Sequence, residues 1–187
     1  DVGRLAVSAA PFPFEISVGA AVARLIAAHP RLKVRALLAD PREVVRDVLA
    51  QTADVGLVDV QFIRGQTDLA AESMPRHDFV IGARPSHPLA DRDGLRLADI
   101  LAFPMACTPI VNEAVTAAVG GGERSELLEV DHGELIPAIH VNSYDLARRI
   151  ACDTDALVPG TAPMLTPELD AGRLVRLDFR MPGLRTN

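Results

Sequence analysis

Apolar positions along this chain alternate between short aliphatic runs and longer stretches with three- and four-residue spacing, a rhythm that predicts strands and helices in turn. Leu5-Ala6-Val7 reads as a short buried strand, stopped by Ala10-Pro11-Phe12-Pro13 ahead of a helix from about Phe14 to His29. Ile16, Ala20, Val22, Ala23, Ile26 and Ala27 recur at helical spacing and mark the face this helix lays against a sheet, and Pro30 ends it. Lys33 to Leu38 reads as a second strand. Asp40-Pro41-Arg42-Glu43 then has the form of a helix start, with Asp40 as N-cap, Pro41 at the first helical position and Glu43 placed to complete a capping box. Val44, Val45, Val48 and Leu49 point that helix inward as far as Gln51, and Asp54 to Val58 follows as a third strand. The resulting β-α-β-α-β order implies one parallel sheet with helices on both faces, because such crossovers are right-handed.

From Thr67 the rhythm changes. Leu69 to Met74 and Phe79 to Ala83 read as two strands separated by Pro75-Arg76-His77 rather than by a helix, so a subdomain boundary is expected near 74–77. A short helix follows at Leu97 to Leu101, a strand at Met105 to Cys107, and a helix from Val111 to Val119 stopped by Gly120-Gly121-Gly122. Leu127 to Val130 fits a strand, and no structure is assigned from Asp131 to Glu134. Ile139 to Val141 is a strand, Asn142 an N-cap, and Ser143 to Ala151 a helix with Leu146, Ala147, Ile150 and Ala151 inward. Ala156 to Val158 is a strand broken by Pro159-Gly160. Pro163 to Asp170 is a helix ended by Ala171-Gly172, and Leu174 to Asp178 a last strand.

Composition narrows what such a chain can be. Of 187 residues, 49% are hydrophobic and only 4% aromatic, so the core is aliphatic, as in α/β layers whose parallel strands are buried. A chain of this length buries roughly 70% of its unfolded surface without metals or disulfides. Each apolar run is interrupted by Arg, Asp, Glu or Pro before it reaches the ~18 to 20 residues of a membrane span. The formal net charge of −6 disfavours direct nucleic-acid binding, which needs a basic face. Two cysteines, Cys107 and Cys152, fit a reducing cytoplasm and two small buried hydrophobes better than a redox pair. The first residues carry no export signal, and a strand starting by Arg4 suggests that an upstream segment has been removed.

Candidate chemistry is sparse. His29, His77, His87, His132 and His140 show neither helical i, i+4 pairing nor clustering with cysteine, and His132 with Asp131 and Glu134 reads as a solvated loop rather than a metal site. No Gly-x-Ser-x-Gly elbow, phosphate loop or dinucleotide fingerprint occurs. No cofactor is expected. An enzyme using Asp59 or Tyr144 is the weakest reading, since no acid, base and nucleophile converge.

The order and spacing of several segments resemble the C-terminal effector-binding domain of LysR-type transcriptional regulators. They are Gly3-Arg4-Leu5-Ala6-Val7, His29-Pro30, Asp54-Val55-Gly56-Leu57, Ser86-His87-Pro88-Leu89-Ala90, Asn142-Ser143, Leu157-Val158-Pro159 and Glu168 to Val175. The resemblance implies two Rossmann-like α/β subdomains joined by two crossover strands, like a type 2 periplasmic binding protein, with a small-molecule cleft between them. Subdomain I would be discontinuous, 1–74 with 161–187, and subdomain II would span 75–160. DNA would be bound only through a winged helix-turn-helix that these residues do not include, which accounts for the acidic balance. The first helix and second strand would pair antiparallel between chains in a homodimer or homotetramer.

In a cleft of this type ligands meet strand ends and helix starts, where unpaired N–H groups favour an anion. Ser8, Pro11 and Phe12 lie at one such start, Pro41 at a second, Asn142 and Ser143 at a third, and Thr108 adds a further wall. By resemblance Pro11, Phe12, Pro41, Thr108 and Ser143 line the effector cleft, and Pro41 stands where relatives often carry a hydroxyl residue. The expected function is a cytoplasmic sensor of a small anionic metabolite. The alternative is a transporter's solute-binding protein, which shares the fold.

Overall fold

The three aliphatic runs of the first sixty residues do form one parallel sheet. In a computed structural model describing residues 3–75, 77–110, 115, 116, 119, 126–131, 134–180, 185 and 186, the chain divides into two units, 1–75 and 76–186. In the first, β1 (Arg4–Ala9) lies between β2 (Lys33–Leu38) and β3 (Val55–Leu57), all parallel, with Arg4 opposite Lys33 and Ser8 opposite Gly56. Lys33 is the only lysine among the 187 residues.

Helix α1 (Pro11–Ala28) begins three residues earlier than the spacing predicts, because proline is tolerated in a first turn whose N–H groups have no partner inside the helix. Its second segment, Phe14–Val18, is wound as π-helical turns. Phe14, Val18 and Val22 pack on Leu5, Val7 and Ala9, while the alanines expected inward, Ala20, Ala23 and Ala27, are exposed. By length and composition this helix is apolar enough to cross a membrane, although Pro13, Glu15 and Arg24 interrupt its apolar run. Only 6% of it is buried.

Helix α2 (Pro41–Leu49) follows the sequence reading closely. The Asp40 carboxylate accepts from Arg42 N–H at 2.8 Å, and Glu43 completes the capping box. Val44 and Val45 are buried, and Leu49, expected inward, is exposed. The helix sits so close to β3 that a Cβ on Gly56 would stand 2.8 Å from Val48 Cγ2 and 3.0 Å from Val44 Cγ1. Leu69 to Met74, expected as a strand, forms none, and among the described residues no strand pairs with that segment.

The second unit is organised by β4 (His77–Ala83). Strand β4 pairs antiparallel with β9 (Val158–Thr161), with β10 (Val175–Arg176) and with β11 (Arg185–Thr186). These pairings group 161–186 with 76–160 by contact, whereas the resemblance implies that 161–187 belongs with the first subdomain. Pro159 and Gly160 do not break the strand. They lie inside β9, opposite Ile81 and Val80, on an edge strand where a missing N–H costs no ladder bond on its outer side. A second, parallel pair joins β5 (Ala106–Cys107) and β8 (Ile139–His140), extended by the Met105–Leu157 bridge. The strand expected from Leu127 to Val130 is β6 (Leu128–Asp131), and it pairs antiparallel with β7 (Glu134–Pro137), for which no strand was expected.

Helix α3 (Leu97–Leu101) is placed as predicted, and α5 (Ala162–Asp170) ends at Ala171 ahead of Gly172, whose φ of +65° suits glycine. Helix α4 (Tyr144–Asp153) starts one residue later than expected, and its cap is Ser143, not Asn142. It buries Tyr144, Ala147, Arg148 and Ala151, and Leu146 is exposed. Arg148 enters the interior because α5 supplies partners. Its Nε lies 3.2 Å from Glu168 Oε2, and Nη1 donates to the Met164 carbonyl at 3.0 Å. The aliphatic core gathers Ile81, Leu89, Ile100, Leu135, Leu157 and Leu177 with Phe179. Of the helix expected at 111–119, Val115, Thr116 and Val119 are described and helical. The rest of it, Gly120 to Gly122 and His132 lie outside the described residues.

Candidate functional site

Each unit presents the carboxyl ends of its parallel strands as a row of loops, and the sequence-predicted residues fall on these two rows. In the first unit the row is held tightly. Ala10 N–H donates to the Leu57 carbonyl at 2.9 Å, and Ala39 N–H to the Ala9 carbonyl at 3.0 Å, so the exits of β1, β2 and β3 stand side by side. Pro11, Phe12 and Pro41, all half-buried, lie on these exits. Ser8 does not offer its hydroxyl to a ligand there. It is 1% exposed and donates to Asp47 Oδ2 on α2 at 2.7 Å, tying strand to helix.

In the second unit Thr108 follows β5, and Asn142 and Ser143 follow β8. Val141 N–H donates to the Cys107 carbonyl at 3.0 Å, which sets these two exits beside each other. Thr108 is half-buried, Asn142 and Ser143 exposed. Ser143 Oγ accepts from Leu146 N–H at 3.3 Å, so the hydroxyl serves as the helix cap. The structure therefore assembles Ser8, Pro11, Phe12 and Pro41 in one unit and Thr108, Asn142 and Ser143 in the other.

Unpaired N–H groups at helix starts favour an anion, and in the first unit two starts are capped by side chains while the start of α1 has no side-chain cap. Asp40 caps α2, and Asp59 accepts from Gln61 N–H at 3.0 Å to start the 3₁₀ turn Val60–Ile63. Asp59 went unread as a cap because Asp59-Val60-Gln61 precedes only one turn. Among the described residues no three His, Cys, Asp or Glu side chains group to hold a metal ion. Burial pushes the Cys107 thiol up to about 12 and raises Cys152 as well, so both are held as protonated thiols.

A polar cluster in the second unit forms around the Ser-His-Pro-Leu turn. Arg84 bonds Asp155 Oδ1 through Nη2 at 2.7 Å and also reaches the Ser86 hydroxyl. His87, buried against Phe103, accepts from Leu89 N–H at Nδ1 (3.1 Å), which leaves the Nε2 proton facing the Asp155 carbonyl at 3.3 Å. Burial lowers its pKa, so the ring is neutral and joins the turn after β4 to the approach of β9.

This architecture agrees with known proteins. The LysR substrate binding domain model matches residues 1–187, and the chain belongs to that family. It is 27% identical over 184 residues to the SDS degradation transcriptional activation protein of a Pseudomonas strain, covering 97% of this chain and 57% of that protein. The chain thus spans little more than half the length of this curated relative. The regulatory domain of CrgA, a LysR-type regulator from Neisseria meningitidis, superposes with a TM-score of 0.65 at 11% identity, covering 95% of this chain and 82% of that one. Full-length CbnR, solved with its target DNA, gives 0.69 at 16% identity, covering 100% and 62%. At such identities the two structures speak for the fold, the type 2 periplasmic-binding-protein-like α/β arrangement.

Proposed function

We propose that these residues form the effector-binding domain of a LysR-type transcriptional regulator, in which a small metabolite binds between the two subdomains and resets the assembly that presents DNA-binding heads. The observation that carries this reading is the family match over the full 187 residues. The two rows of strand exits support it, since open α/β sheets bind ligands outside the carboxyl ends of their strands. The relative's name, a transcriptional activation protein for SDS degradation, points to the same role. Coupling requires the metabolite to bind the two arrangements unequally. DNA is contacted through the heads, in the cytoplasm, and the domain acts as a sensor without catalysis.

Self-association belongs to this reading. The exposed alanine face of α1 and the outer edge of β2, unpaired among the described residues and with Leu37 and Leu38 exposed, pair antiparallel between two chains. A thermal-shift screen of small metabolites at millimolar concentration tests the sensor role. A ligand at 100 times its Kd stabilises by about 2.7 kcal/mol, and a Ser143→Leu variant loses that shift. Retention of wild-type affinity by the variant takes Ser143 out of the site. Sedimentation of an Ala23→Glu/Ala27→Glu variant tests the pairing. Monomers are expected, and a persistent dimer refutes it.

A further inference from the structure

The exits of β1, β2 and β3 would suit an anion only if they offered hydrogen-bond donors. At the start of α1, Pro11 and Pro13 have no N–H, and the Phe14 N–H is spent on the Ala10 carbonyl at 2.9 Å. At the start of α2, Asp40 N–H meets Glu43 Oε2, Arg42 N–H meets Asp40 Oδ1 and Val44 N–H meets the Asp40 carbonyl. At the third exit, Gln61 and Phe62 N–H groups both return to Asp59. The Ser8 hydroxyl is committed to Asp47. Proline has removed two of the first three donors at one start, and Asp40 and Asp59 accept from donors at the other two.

The charges point the same way. Asp40, Glu43 and Asp59 stand on or beside these exits against Arg42 and Arg46, and Arg46 is drawn to Glu43 at 3.3 Å. What remains facing outward is apolar, namely Pro11, Phe12 and Pro41, half-buried, and Val60, exposed. A carboxylate or phosphate brought here would lose hydration, meet like charge and gain few bonds in return. An uncharged apolar group loses little hydration and covers exposed carbon.

We infer that this edge receives an uncharged, mainly apolar part of the effector and discriminates against a carboxylate. The inference rests on the sensor reading above and adds to it the chemical class of the group met by the first unit.

Matched pairs of probes test it, benzyl alcohol against benzoate and octan-1-ol against octanoate, titrated at millimolar concentration into ¹⁵N-labelled protein with amide shifts as readout. Each alcohol is expected to shift the amides of Phe12, Asp40 and Val60 with a Kd at least about tenfold below that of its acid. A Pro11→Ser/Pro13→Ala variant, which restores two N–H groups, narrows that ratio. Asp40→Asn with Asp59→Asn, which keeps both caps and removes both charges, narrows it as well. An acid that shifts these amides as tightly as its alcohol overturns the inference and leaves the sensor reading standing. Shifts confined to other residues for all four probes overturn the sensor role of this edge, and the inference with it.

Discussion

The two units are built from similar strand–helix alternation, yet they bury side chains of different size. In the first, every buried hydrophobic residue described is a valine or an alanine, among them Val7, Ala9, Val18, Val44 and Val45. Its larger side chains, such as Leu5, Phe14, Leu57 and Phe62, are at best half-buried, and Leu37, Leu38, Leu49 and Val55 are exposed. In the second, Leu89, Ile100, Leu135, Leu157, Leu165, Leu174 and Leu177 are almost wholly covered. The difference teaches that one aliphatic composition can furnish both a closed core and a sheet with apolar surface to spare. Fully burying a leucine is worth roughly 1.5–3 kcal/mol, so the second unit has far more to lose from truncation.

Substitutions can break that contrast. Leu157→Ala should cost about 3–4 kcal/mol in urea unfolding, from lost transfer energy and a residual cavity. Glu168→Ala should come close behind, at about 3 kcal/mol, because it strands Arg148 in the interior. The matching change in the first unit, Val7→Ala, should cost only about 1 kcal/mol, and a loss as large as that of Leu157→Ala would end the comparison. Removing the α2 cap with Asp40→Ala should also cost about 1 kcal/mol, and Asp40→Asn much less.

Acid provides a further probe of the second unit. His87 has a folded pKa below its unfolded value, so the unfolded chain binds the proton more tightly. Its contribution is complete above about pH 6.5 and declines as pH falls through the lowered folded pKa. Urea midpoints at pH 7.5 and 5.0 should show a decline that His87→Gln diminishes. Smallest of all, Arg46→Ala at the exposed pair with Glu43 should change stability by less than about 0.5 kcal/mol.

Much of this was legible in the residues. Asp40-Pro41-Arg42-Glu43 announced α2 because its signals are local, and the aliphatic runs of β1 and β2 were equally plain. What periodicity misplaced was set by distant partners. Leu146 lies outside and Arg148 inside because Glu168, twenty residues on, receives the guanidinium. Pro159-Gly160 read as a break, yet β4 recruits both into an edge strand. The candidate positions were found at strand exits as expected, but not the state of their donors. Spacing locates a helix start, whereas the use of its N–H groups depends on caps such as Asp59 and on prolines already in place. Ser8 illustrates the point, since nothing near it in sequence foretells Asp47.

The single lysine has a practical consequence. A lysine-specific endoprotease has one site in these 187 residues, the Lys33–Val34 bond inside β2. A protease needs an extended, unpaired segment, so cleavage requires β2 to leave β1. Digestion would therefore produce two fragments at a rate set by local opening of the first sheet. Anything that covers the outer edge of β2 would slow it, so a gel can time how often that strand comes away.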